Sequence, residues 1–155
     1  MKDNAPHWQD NQEGQKLVER KEKLSPFVKR ILIVDDDPDT TFTFKKGFEE
    51  ANRIGGNKTA FQVNAYNDPL VALSEFKPDY YDLMLVDINM VEMNGFDFCM
   101  KILELDANPR VCFMSSGLIN QEALKEQYPS LSIGCFIKKP ITMENMIRKV
   151  RAELE

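Results

Sequence analysis

Four stretches of this 155-residue chain set side chains capable of chemistry directly after strongly apolar runs. ILIV runs into Asp35, Asp36 and Asp37; LMLV into Asp87; VCFM into Ser115 and Ser116; and GCFI into Lys138, Lys139 and Pro140. Carboxylates gathered in one buried site repel one another, at a cost of several kcal/mol unless a cation or a proton intervenes. Three aspartates and one lysine therefore imply a bound cation. Magnesium suits best, because it takes a few carboxylates together with water and phosphate oxygens and needs no full protein cage. A single terminal aspartate would read as a helix cap or a turn. Acids closing two runs, with hydroxyls and Lys-Pro closing two others, read as a site.

The elements that must carry these residues follow from the apolar pattern. Residues 30–36 form a short β-branched strand that ends in acid, and Asp37-Pro38 supplies an N-cap with proline at the first helical position. A threonine-rich helix through Phe42, Phe48 and Ala51 follows. The alternation then continues with strands at 60–66, 82–87, 110–116 and 132–138 and helices at 69–76, 95–106, 120–128 and 142–155. Short continuous apolar strands alternating with amphipathic helices predict an α/β fold, a parallel sheet covered on both faces. In such a sheet chemistry collects at the carboxyl ends of the strands, where the polar interruptions fall.

At these residues the chain resembles the receiver domain of two-component response regulators. ILIVDDDPD is similar to the family's first strand and acidic pair, and DINMVEMNG to its phosphorylation loop. Four motifs in the family's order and at its separations carry the resemblance, which spans about residues 29–155. It implies a flavodoxin-like doubly wound sheet of five parallel strands in the order 2-1-3-4-5. It also implies Asp87 as phosphoryl acceptor, with Asp35, Asp36, Asp87 and the backbone carbonyl of Asn89 organising Mg2+. Ser115 stands at the switch hydroxyl, Phe136 at the switch aromatic and Lys139 at the family's lysine, with a cis Lys139–Pro140 peptide. Asp37 falls one place beyond the acidic pair and reads as the N-cap, and Lys138 as a solvated neighbour. Asn89 and Gly117 occupy positions that tune hydrolysis of the aspartyl phosphate. Two departures stand out: Val91 replaces the usual loop proline, an exchange expected to loosen the loop, and Phe136 replaces the commoner tyrosine. Asn94-Gly95 keeps turn chemistry.

The implied partners are a sensor histidine kinase or histidine phosphotransfer protein as donor and an unidentified downstream protein as target. Catalysis is expected to be limited to the chain's own phosphoryl transfer and dephosphorylation. The other reading is a receiver-like module that binds its partner without phosphorylation. A flavin-binding module is disfavoured because acids stand where a phosphate loop needs glycine and backbone donors. A haloacid-dehalogenase-type phosphatase would want a second acid where Asn89 stands.

Composition sets outer limits. At 43% hydrophobic residues the chain can fill one domain core, assigned to 28–155. The first 27 residues carry balanced charge, so the net −5 lies in 28–155 and argues against a nucleic-acid surface. That leading segment reads as a charged extension, with a helix-compatible stretch from Asn11 to Leu24. It contains His7, the sole histidine, in no helical phosphotransfer context. No apolar run suits a membrane span or a secretory signal, so a soluble cytoplasmic protein is expected. Cys99, Cys112 and Cys135 read as separate buried thiols. Arg148, Lys149 and Arg151 on the last helix offer charges for a phosphorylation-dependent homodimer.

Overall fold

A computed structural model describes residues 28–54, 59–107 and 109–155; the charged extension lies outside them. Five strands, β1 (Val28–Val34), β2 (Ala60–Tyr66), β3 (Leu83–Asp87), β4 (Arg110–Ser115) and β5 (Ser132–Lys138), form one parallel sheet in the order β2-β1-β3-β4-β5. Between and after them run α1 (Pro38–Ile54), α2 (Pro69–Ser74), α3 (Gly95–Ile102), α4 (Gln121–Gln127) and α5 (Met143–Leu154).

Each central strand carries a continuous apolar stretch, 31–34 in β1, 83–86 in β3 and 111–114 in β4, because both faces are covered there. Ile31, Ile33, Leu83, Leu85, Cys112 and Met114 pack under α1 and α5, while Leu32, Val34, Met84, Val86, Val111 and Phe113 pack under α2 and α3. This is the expected doubly wound arrangement.

The first helix forms despite its threonines because Asp37 caps it. Asp37 Oδ1 accepts from the Asp39 N–H at 3.1 Å and Oδ2 from the Thr40 hydroxyl at 2.8 Å. Its buried stripe is Thr41, Phe44 and Phe48, while Phe42 is 63% exposed, so the inward face is turned from the one the sequence suggests. The first strand ends at Val34, which frees Asp35 and Asp36 to turn into the crevice. The third helix stops at Ile102 and continues only as turns.

Sheet register holds a bulge that matters for the edge. Val111 faces Ile133 but Cys112 faces Cys135, leaving Gly134 as the extra residue on β5. A Cβ there would lie 2.4 Å from Glu153 Oε2 and 3.0 Å from Arg110 Nε, so the bulge brings that ion pair close over the glycine.

Candidate functional site

The carboxyl end of the sheet brings the acids together, as the alternation of elements requires. Asp87 closes β3 at 6% exposure, and Asp35 follows β1 at 1%. Lys139 arrives just past β5 and bridges them, with Nζ 2.5 Å from Asp35 Oδ2 and 2.9 Å from Asp87 Oδ1. Asp36 is half-buried, and one oxygen from each of Asp35, Asp36 and Asp87 lies within 4.8 Å of the others.

One ammonium against three carboxylates leaves the cluster negative. Burial, and then the charges of Asp35 and Asp36, raise the Asp87 carboxyl above the ordinary range, outweighing the Lys139 bond. Burial alone would lower the Lys139 ammonium, yet its bonds to Asp35 and Asp87 leave it raised. The donor set is all oxygen and lacks one unit or more of positive charge, which fits a hard divalent cation such as Mg2+ and not a soft one.

Neighbouring loops fix these groups. The Asp35 Oδ1 accepts from the Asp37 N–H at 3.0 Å, and the Asp35 N–H donates to the Tyr66 carbonyl at 3.1 Å. Asp36 Oδ2 accepts from the Val91 N–H at 3.1 Å, a bond proline could not make. Val91 therefore ties the loop to the acid pair where a looser loop was expected. Asn94 caps α3 by accepting from the Asp97 N–H at 2.8 Å, and Gly95 provides clearance, since a Cβ would sit 2.5 Å from the Asp87 carbonyl. Close approach, in place of the turn chemistry read from the sequence, is thus what Gly95 serves.

Ser115 ends β4 nearly fully buried, its hydroxyl accepting from the Gly117 N–H at 3.0 Å. Its carbonyl accepts from the Lys139 N–H at 2.8 Å, so hydroxyl and lysine are joined through backbone. The Lys139–Pro140 peptide is cis. Phe136 is half-buried, stacked on Phe113 with centroids 6.1 Å apart. Asn89 is exposed in the loop after β3, and Lys138 and Asp37 are exposed beside the site. A groove of about 330 Å³, lined by Phe44, Pro140 and Ile141, opens beside Lys139.

Asn67 and Thr41 are contributors that the strand-end pattern did not reveal. The Asn67 amide donates to the Asp35 carbonyl at 3.0 Å and to the Thr41 hydroxyl at 2.7 Å, bracing the turn that carries the acid pair. Asn67 follows the end of β2, a position the strand-end rule covers; the lack of charge there hid it.

Residues 31–151 match the family model of the response regulator receiver domain. The chain belongs to that family. This receiver is 28% identical over 119 residues to the chemotaxis protein CheY of Thermotoga maritima, covering 77% of this chain and 92% of that one. Its fold matches the non-phosphorylated HemR receiver domain from Leptospira biflexa with a TM-score of 0.68 at 23% identity, over 82% of this chain and 94% of that one. It also matches response regulator protein TrrA from Thermotoga maritima in complex with Mg(2+)-BeF, with a TM-score of 0.60 at 19% identity, over 81% of this chain and 98% of that one. The receiver spans about half the length of the transcriptional regulatory proteins it matches and 9% of the sensor protein EvgS of Escherichia coli. Among the described residues, no helix is long and apolar enough to cross a membrane.

Proposed function

We propose that this receiver is a phosphorylation-operated switch that accepts a phosphoryl group on Asp87. The observation that carries the reading is the Lys139 ammonium 2.9 Å from Asp87 Oδ1 and 2.5 Å from Asp35, beside carboxylates that leave the pocket short of positive charge. Asp35, Asp36, Asp87 and the Asn89 carbonyl are the groups that would hold Mg2+. When bound, that ion supplies charge neutralisation for the phosphoryl oxygens. The TrrA complex with Mg(2+)-BeF supports the same assignment by likeness.

The donor is a phosphohistidine on a sensor kinase or phosphotransfer protein. An Asp87 carboxylate oxygen attacks phosphorus, the P–N bond breaks, and the imidazole nitrogen keeps the electron pair. Lys139 offsets the charge of the incoming group, so catalysis rests on positioning and electrostatics. Ser115 then moves to donate a hydrogen bond from its hydroxyl to a phosphoryl oxygen, giving up the present bond from Gly117, and Phe136 follows on the next strand. The phosphate shifts an equilibrium by its preference for one state. Output is a change in protein contacts, and the chain's catalysis extends to no phosphoryl group but its own. The compartment is the cytoplasm, where such donors work.

Incubation with magnesium and acetyl phosphate tests this directly. Intact mass is expected to gain one labile phosphoryl group, absent in Asp87→Asn. No adduct in the wild-type chain would instead favour a constitutive interaction module.

A further inference from the structure

A second cluster lies on the α1/α5 side of the sheet, away from the acids. Cys112 and Cys135, far apart in sequence, are direct register partners on β4 and β5, and the Gly134 bulge turns both side chains to the same face. Their sulfur atoms and a Glu153 carboxylate oxygen lie within 4.8 Å of one another. Adjacent strands run about 4.8 Å apart, inside the roughly 4.4–6.8 Å Cα separation that a disulfide spans. Both thiols are free.

The two sulfurs are not equivalent. Cys112 is fully buried, whereas Cys135 is partly exposed on the sheet's edge strand. Hydrogen bonding between the pair, with smaller help from Lys149 on α5 and Arg110 on β4, favours the Cys135 thiolate, against burial and the charge of Glu153. The same bond, with burial, pushes the Cys112 thiol up. Glu153 is itself held by Arg110, at 2.6 and 3.0 Å. Arg110 and Lys149 oppose a divalent cation here, although two thiols and a carboxylate are metal-ligand types. A partly exposed thiol backed by a buried partner within reach is the arrangement of a redox-responsive pair.

We propose that Cys135 and Cys112 form a peroxide-sensitive thiol pair that closes a disulfide between β4 and β5. The Cys135 thiolate attacks one oxygen of hydrogen peroxide; the O–O bond breaks, hydroxide leaves and Cys135 becomes a sulfenic acid. The Cys112 sulfur, giving up its proton, then attacks the Cys135 sulfur. The S–O bond breaks and water leaves. Two thiols have lost two electrons, and one peroxide has become two waters. A thiol reductant reverses the closure.

Treatment of the full chain with hydrogen peroxide, followed by denaturing alkylation and peptide mapping, tests the pair. Expected are loss of Cys112 and Cys135 from alkylation, a mass lower by two hydrogens, a linked Cys112–Cys135 peptide, and full reversal by dithiothreitol. Cys99, whose thiol burial pushes up, serves as the internal control and remains alkylatable. In the native protein Cys135 is expected to react with a maleimide about tenfold faster than Cys99 or more. Cys112→Ala should leave a Cys135 sulfenic acid that dimedone traps, and Cys135→Ser should leave Cys112 reduced. The wild-type result stands even if a variant folds poorly. A linked peptide between two molecules, oxidation of Cys99 ahead of Cys135, or stoichiometric zinc in the purified chain whose removal frees both thiols would overturn the proposal.

Discussion

Asp87 sits in a folded environment that favours its protonated form, with its pKa raised by burial and by two neighbouring carboxylates. A carboxyl with a raised folded pKa contributes stability that is fully present below its unfolded value, about 3.9, and is lost as pH rises through the folded value. At neutral pH the ionised residue therefore weakens the fold, and Asp87→Asn should stabilise the metal-free chain by about 1 kcal/mol. Urea melts of the two proteins across the pH range from 4 to 7 should show the gap widening as pH rises; a constant gap would contradict the electrostatic account. Lys139 has the opposite part. Its removal leaves Asp35, 1% exposed, and Asp87 without their shared cation. Lys139→Met should cost about 2–3 kcal/mol in metal-free buffer, and millimolar Mg2+ should recover part of that loss, as read by thermal melts.

Among the elements, the strand-end acids depend on how closely α3 approaches β3. Gly95→Ala places a methyl against the Asp87 carbonyl, where a Cβ has 2.5 Å, so backbone must move. The expected cost is about 1–3 kcal/mol, with slower adduct formation by acetyl phosphate in the same protein. At the other extreme, α4 is seven residues long and has no buried residue. Its amides should exchange with deuterium faster than those of α5, which anchors Met146 and Val150, and equal protection would mean a support not visible here. These helices also mark the limits of sequence reading. The central strands were legible from apolar stretches that are buried on both faces, and the polar ends of β1, β3, β4 and β5 located Asp35, Asp87, Ser115 and Lys139. The orientation of α1 was not, since Phe42, Phe44 and Phe48 offer two apolar stripes and only packing against the sheet selects one. The bond from Val91 to Asp36 was not legible because it comes from a backbone N–H, which no side-chain pattern carries.

At the scale of the molecule, the strand order came from family likeness, since alternation alone specifies a parallel sheet without ordering it. The pairing of Cys112 with Cys135 was hidden for the same reason: only β4–β5 register and its bulge make neighbours of them. Charges on the last helix are partly engaged within the chain, with the Arg151 guanidinium 4.8 Å over the Phe61 ring and Arg148 bonded to Glu144 at 3.3 Å. Lys139 and Asp35 are separated by 104 positions, which places the ammonium just past β5, the last of the five strands to be made. During synthesis, domains build from the amino-terminal side. A ribosome-bound nascent chain that has not yet delivered β5 carries Asp35 and Asp87 without their counter-charge, so the bridge through Lys139 closes only when the sheet is finished.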